Sequence, residues 1–126
     1  MKNGITFDTG ALIALERRSM RARHILRRAI EVKARITVPA AVIAEWWRSR
    51  TDVRESILTA VRIEPLSERI ARRAGEALAS VKNATTIDAI VVASAAQRGD
   101  VVYTADVEDL QRLASYFRSV RVLGIG

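Results

Sequence analysis

Short apolar runs alternate along the chain with longer segments in which apolar residues recur at helical spacing. The apolar runs predict strands at Ile5–Phe7, Ile36–Val38, Val101–Thr104 and Val120–Leu123, and the short segment Arg62–Glu64 before Pro65 predicts a fifth. The intervening segments predict helices over residues 11–15, 20–32, 39–48, 52–61, 67–81, 87–98 and 107–117. Strands separated by helices indicate βαβ units. We therefore expect an α/β fold with a central parallel sheet and helices on both faces.

Residues with strong preferences for helix ends suggest several boundaries. Thr9 and Thr86 precede apolar helical segments and are expected to cap them through their hydroxyl groups. Pro39 is expected to begin the helix that follows the second strand, because proline is tolerated at a first helical position. Gly99 follows the last residue of the segment 87–98 and is expected to end that helix.

Composition narrows the class of protein. The chain has 126 residues, of which 49% are hydrophobic, and this predicts one globular domain over residues 1–126. It has no cysteine, which excludes disulfides, thiolate metal sites and cysteine nucleophiles, and which fits a reducing cytoplasm. Neither a signal-peptide core nor an apolar run long enough to span a membrane is visible. We therefore expect a cytoplasmic protein with no membrane partner.

The formal charge is +7, from 21 basic and 14 acidic residues, and six arginines crowd into residues 17–28. This pattern fits an anionic partner, and it also fits an arginine-rich surface with no specific partner. Arg17, Arg18 and Arg21 follow the first helix, and we expect them near the rim of a site at the strand ends. The low aromatic content of 5% argues against an aromatic platform for stacking bases.

Two acidic residues lie just beyond predicted strands. Asp8 follows the first strand and Asp106 follows Thr104, the end of the fourth. In an open parallel sheet, ligands bind beyond the carboxyl ends of the strands, so both side chains are expected at one edge. A loop or capping role is the plain alternative for either residue alone.

Two further acids lie on predicted apolar helix faces. Asp88 shares a row with Val91 and Val92, and Glu45 follows Ala41 and Val42 in the same way. A buried carboxylate needs a partner, which is either an arginine such as Arg48 or a shared metal ion. His24 is expected at the surface. Clustered carboxylates without histidine ligands suit Mg²⁺ or Mn²⁺, and the matching chemistry is phosphoryl transfer by a metal-activated water.

In their order and spacing, these motifs resemble those of the PIN-domain ribonucleases, and among them the VapC-like toxins of bacterial toxin–antitoxin pairs. The matching motifs are Asp8–Thr9, Glu45 within residues 39–45, Asp88 within 88–95, the segment 99–106 ending in Thr104-x-Asp106, and Asp109. Tandem Trp46–Trp47 departs from the pattern, and we expect one ring in the core and the other at an interface. The stretch between Arg48 and Ser67 is also short.

The resemblance implies a three-layer α/β/α domain that acts as a metal-dependent endoribonuclease and leaves a 5′-phosphate. It assigns catalysis to Asp8, Glu45, Asp88 and Asp106, metal binding to Asp8, Asp88 and Asp106, and supporting roles to Thr9, Thr104 and Asp109. It also implies a homodimer, an RNA substrate and a cognate antitoxin that blocks the site. With RNA as the substrate, we expect Arg17, Arg18 and Arg21 to contact RNA phosphates.

Other functions stay open on the sequence. A haloacid-type phosphatase needs a second aspartate two residues after Asp8, where this chain has Gly10. A receiver-like phosphoacceptor domain needs paired acids after the first strand and a late lysine, whereas Thr9 follows Asp8 and the last lysine is Lys82. A non-catalytic PIN-like module that binds RNA or protein, and a metal-dependent phosphatase, remain the alternatives.

Overall fold

Five short strands pair in parallel in one sheet of this computed structural model, which describes residues 4–126. Along the chain they are β1 (Ile5–Phe7), β2 (Ile36–Pro39), β3 (Arg62–Glu64), β4 (Val101–Thr104) and β5 (Arg121–Gly124). Their order across the sheet is β3-β2-β1-β4-β5. The chain therefore builds outward in one direction from β1 to β3, and in the other direction through β4 and β5.

Seven helices within residues 4–126 flank the sheet and complete a three-layer α/β/α fold, as the sequence predicts. They are α1 (Thr9–Glu16), α2 (Met20–Glu31), α3 (Ala40–Trp46), α4 (Asp52–Thr59), α5 (Glu68–Ser80), α6 (Thr86–Arg98) and α7 (Val107–Ala114). Among them, no helix has both the length and the apolar character that a membrane crossing needs. Residues 1–3 of the predicted domain span lie outside the described residues.

The core is centred on α6, which contacts β1, β2 and β4. Seven consecutive residues of this helix, 89–95, are buried, so the helix is covered on every side. Phe7 of β1, Val38 of β2 and Val102 of β4 are fully buried. Continuous burial of short strands is expected where helices cover both faces of a parallel sheet.

Two predicted helix caps are wrong by one residue. Asp8, not Thr9, caps α1: its backbone is extended and its carboxylate accepts a hydrogen bond from the Ala11 amide at 2.8 Å. Thr85, not Thr86, caps α6 through a hydrogen bond from the backbone amide of Asp88. In both places two neighbouring side chains are able to cap, and the first of the two lies outside the helix in extended conformation.

Three other predicted helix ends lie within a few residues of the observed ones. Gly99 ends α6 with a φ of 73°, a left-handed conformation that glycine adopts without strain. Pro39 is the last residue of β2 and directly precedes α3, which ends at Trp46 rather than near residue 48. Helix α7 likewise ends at Ala114, three residues before the predicted end.

A buried polar network joins α6 to the sheet. The Arg98 guanidinium donates to Glu64 at 2.6 Å, to Asp100 at 2.9 Å and to the hydroxyl of Thr6 at 2.9 Å. Thr6 donates in turn to Asp100, and Ser94 donates to Glu64 at 2.5 Å. Glu64 is partly desolvated, yet these hydrogen bonds from Ser94 and Arg98 hold its pKa below the usual value. The network fixes the end of α6 against β1 and β3.

Candidate active site at the strand ends

The sheet changes its direction of growth between β1 and β4, and ligands of open parallel sheets bind beyond the carboxyl ends of the strands at such a switch point. Asp8 follows β1 and Asp106 follows β4, so these two acids flank that point from either side. The hydroxyl of Thr104 connects them. It donates a hydrogen bond to Asp8 Oδ2 at 2.5 Å and accepts a hydrogen bond from the backbone amide of Asp106 at 2.9 Å.

Asp8 is the buried member of this group, with 6% of its surface exposed. The pKa of its carboxyl is raised from 3.8 to about 6, mainly by burial, and the charges of Asp88 and Asp106 contribute in the same direction. The hydrogen bonds from Thr104 and from the Ala11 amide act in the opposite direction, since they stabilise the ionised form. Desolvation therefore outweighs two good hydrogen bonds, and the negative charge on Asp8 lacks full compensation.

Asp88 lies in the first turn of α6 and is half-buried. Burial raises its pKa, a hydrogen bond with Thr85 lowers it, and the charges of Asp109, Glu45 and Asp106 raise it again. The structure therefore brings acids from α3, α6 and the start of α7 within electrostatic range of one another, although they are far apart in the sequence.

Asp106 and Asp109 lie close together at the start of α7, where the Asp109 amide is 3.5 Å from Asp106 Oδ1. A hydrogen bond between the two side chains raises the pKa of Asp106 and lowers that of Asp109. Arg112 also donates to Asp109 at 2.8 Å, which favours the ionised form of Asp109.

Glu45 is exposed near the end of α3, so the expectation that it is buried is wrong. Its Oε1 accepts a hydrogen bond from Thr9 at 2.5 Å. Within residues 4–126 no ion pair involves Asp8, Glu45, Asp88 or Asp106, and Arg48 does not pair with Glu45. The alternative of arginine partners for these acids therefore finds no support in the described part of the chain.

The donor chemistry of these acids fits a hard divalent cation. They offer carboxylate oxygens only, the neighbouring acids raise the pKa of Asp8 and of Asp88, and no lysine or arginine in residues 4–126 neutralises the four of them. As the side chains stand, however, no three acidic or histidine groups of that part of the chain converge closely enough to hold an ion between them. The group is thus a set of mutually repelling carboxylates that fits the cation in charge and in ligand type.

The predicted RNA-contacting arginines are all exposed. Arg21 donates to the carbonyl oxygen of Gly124 through Nε at 3.2 Å and through Nη2 at 3.1 Å. Gly124 ends β5, so this contact holds Arg21 at the same edge of the sheet as Asp8 and Asp106. Arg17 and Arg18 lie in the turn between α1 and α2.

The two tryptophans differ in burial. Trp46 is 3% exposed and its indole donates to Glu16 at 3.0 Å, which confirms that one ring belongs to the core. Trp47 is half-buried and packs edge-on against Trp46, and its place at an interface stays a prediction. His24 is exposed, as expected.

Sequence reasoning missed two residues beside the acids. One is Thr85, whose hydroxyl contacts Asp88; the tandem Thr85–Thr86 was the available signal. The other is Gly10, in the first turn of α1. A Cβ atom there would lie 2.9 Å from the Cβ of Ala105, so glycine allows α1 to approach the loop that carries Asp106. A glycine in a first helical turn was the signal.

Comparison with known proteins gives a family and a set of similar folds. The family model of the PIN domain matches residues 5–115. VapBC2 from Rickettsia felis, solved with a DNA fragment from its promoter, contains a chain with a TM-score of 0.78 at 12% identity, over 95% of this chain and 97% of that one. DNA-bound VapBC from Salmonella typhimurium contains a chain with a TM-score of 0.77 at 14% identity, over 99% of this chain and 100% of that one.

FitAcB from Neisseria gonorrhoeae gives a TM-score of 0.70 at 21% identity, over 94% of this chain and 96% of the other. At these identities the likeness concerns the fold. Among curated proteins no sequence matches.

Proposed function

The chain belongs to the PIN-domain family, and on that premise we propose that it is a divalent-metal-dependent endoribonuclease, the toxin of a toxin–antitoxin pair. The observation that carries the proposal is the group of uncompensated carboxylates at the switch point of the sheet. Folding places Asp8 there although burial raises its pKa to about 6, which is unfavourable for a fold at neutral pH. A binding partner of positive charge would offset this cost.

Asp8, Asp88 and Asp106 are the residues that would hold Mg²⁺, with Mn²⁺ as a chemical equivalent, and Asp109 supports Asp106. When bound, such a cation supplies charge neutralisation at a phosphodiester and a water of lowered pKa. Thr104 fixes the Oδ2 atom of Asp8, so that this carboxylate keeps one orientation.

Glu45 has a different role in this proposal. Thr9 holds its Oε1 atom, which leaves Oε2 of this exposed carboxylate available to take a proton from the attacking water. Arg21, held at the strand-end edge by Gly124, and its neighbours Arg17 and Arg18 supply positive charge for the phosphates of RNA.

We also propose two protein partners, an antitoxin and a second copy of this chain. The structural neighbours include VapBC and FitAcB, and a further similar structure is a toxin–antitoxin complex from Klebsiella pneumoniae. We propose that a cognate antitoxin inserts a basic side chain among Asp8, Glu45, Asp88 and Asp106, since a guanidinium forms bidentate hydrogen bonds with carboxylates. A homodimer, with Trp47 at an interface, completes the proposal.

The test is cleavage of end-labelled RNA by the wild-type chain in Mg²⁺, in Mn²⁺ and in chelator. The proposal predicts internal cuts with 5′-phosphate products only when the divalent cation is present. RNA that stays intact in both metals, yet is bound, would favour the non-catalytic binding module. Release of inorganic phosphate from a phosphomonoester without internal cuts would favour a phosphatase.

A further inference from the structure

A groove away from the acids lies between α5, α6 and the connection that follows α7. It has a volume of about 470 Å³. Its floor is apolar, because Ile70, Ala93 and Phe117 are each at most 5% exposed. Its rim carries basic and aromatic side chains. We call it the basic groove, and its rim residues are Arg69, Arg73, Tyr116 and Arg118.

The charge of the basic groove has one sign. Three guanidinium groups line it and no acidic side chain does. Arg73 lies 5.2 Å from the centroid of the Phe117 ring and makes only a long contact of 3.8 Å with Glu76. Within residues 4–126, the side chains of Arg69 and Arg118 form neither a hydrogen bond nor an ion pair. Arginines that line one groove, two of them with unpaired side chains and the third with only a long contact to an acid, are a site for anions.

Two arginines that lie three positions from Arg69 and from Arg118 in the chain do not line the groove. The first, Arg72 of α5, pairs with Glu68 at 2.6 Å. Arg121 lies three residues after Arg118 in β5 and does not line the groove. Arg69, Arg73 and Arg118 thus share one groove, which their neighbours Arg72 and Arg121 do not line.

Tyr116 makes the groove more suitable for a nucleotide than for an acidic peptide. Its ring is 37% exposed and packs edge-on against Phe117, with centroids 5.0 Å apart. An exposed aromatic ring beside guanidinium groups offers a stacking surface for a base and donors for its phosphate. Carboxylate side chains would use the arginines but would leave the ring and the apolar floor without a partner.

We propose that the basic groove binds a single-stranded segment of RNA, with phosphates on Arg69 and Arg118 and a base against Tyr116. The proposal rests on the proposed function, which it extends by a second RNA-binding surface. Gln97, which lines the groove, lies nine residues after Asp88 on α6, which is about 13 Å along the helix axis. The groove is thus separate from the acids, and a folded RNA could reach both. The low aromatic content argued against a platform of several rings, whereas this groove needs only one.

The experiment measures binding of a short oligouridylate by fluorescence anisotropy, in chelator and over a range of salt concentrations. The test variant is Arg69→Gln with Arg118→Gln. The matched control, Arg72→Gln with Arg121→Gln, removes the same charge from residues three positions along the chain that do not line the groove. We expect the test variant to bind about tenfold more weakly or worse, with the slope of log affinity against log salt reduced by about 1.4. The control should stay within about twofold of wild type at moderate salt.

Tyr116→Ala supplies an independent arm. It should weaken RNA binding about fivefold or more without changing the salt slope, since stacking is not ionic. Equal losses in the test and control variants would overturn the proposal in favour of delocalised charge. Polyglutamate that binds as tightly as RNA, with no dependence on Tyr116, would overturn it in favour of an acidic protein. Because the measurement uses no metal, failure here leaves Asp-dependent RNA cleavage unaffected, and the two proposals can fail separately.

Discussion

Replacing Asp8 by asparagine tests whether this buried carboxylate lacks a charge partner. Burial raises its pKa from 3.8 to about 6. An acid with a raised pKa binds its proton more tightly in the folded state, so wild-type stability falls as the pH rises through this interval and stays low above it. At about 1.4 kcal/mol per pKa unit, ionised Asp8 lowers the free energy of unfolding by about 3 kcal/mol at pH 7 and above.

The asparagine variant removes this charge and keeps one of two hydrogen bonds. Its Oδ1 atom can still accept from the Ala11 amide, but the amide nitrogen cannot accept the hydrogen bond that Thr104 donates to Oδ2. That loss costs about 1–2 kcal/mol. We therefore predict that Asp8→Asn is more stable than wild type by about 1–2 kcal/mol at pH 8, which raises Tm by about 3–8 °C. Near pH 4 the advantage should disappear.

Thermal and urea melts in chelator, between pH 4 and pH 8, measure this difference. Asp100→Asn is the matched control, because Asp100 is also buried but accepts a hydrogen bond from Arg98 at 2.9 Å. Because Asp100→Asn removes the carboxylate that pairs with the Arg98 guanidinium, it should destabilise the fold by about 2 kcal/mol or more at pH 8. The two buried aspartates should thus respond with opposite signs. If Asp8→Asn melts below wild type at pH 8 by as much as at pH 4, the reasoning is refuted.

Three further predictions concern the surroundings of the acids. Gly10→Ala should destabilise the fold by about 1 kcal/mol in thermal melts, because the added Cβ would lie 2.9 Å from the Cβ of Ala105. Gly75→Ala is its control: a Cβ there would meet no described atom within 4 Å, so this substitution should stabilise the helix by about 1 kcal/mol. Thr104→Val should lower both stability at pH 8 and RNA cleavage, since Asp8 loses a donor, and Thr104→Ser should restore most of both. Added Mg²⁺ should raise the Tm of wild type by mass action, and that of Asp8→Asn less; equal shifts would contradict binding at this carboxylate.

The sequence predicted the sheet well because the short apolar runs are separated by clear helical periodicity. Even β3, in which Ile63 is the only apolar residue, is a strand as predicted, although the structure leaves it exposed at the sheet edge. The helix caps were less accurate. Asp8–Thr9 and Thr85–Thr86 each contain two side chains able to cap, and the choice depends on backbone angles that the sequence does not specify.

Contacts between distant residues were beyond the sequence. Arg98 meets Glu64, 34 residues away, and Thr6, 92 residues away, and no local pattern marks these three as partners. The exposure of Glu45 also depends on how α3 sits beside α1, since its helical row contains apolar residues. The basic groove combines α5, α6 and the connection after α7, so its arginines look like ordinary surface residues until the fold places them together.

The central claim is that the acids at the strand ends cut RNA, and the cleavage rate of Asp88→Asn in Mg²⁺ tests it most directly. Asp52→Asn is the control, because Asp52 is an exposed acid of the same charge that pairs with Arg50. We predict that Asp88→Asn loses at least about a hundredfold in rate while Asp52→Asn cleaves as wild type does. Cleavage by Asp88→Asn at the wild-type rate would contradict the claim.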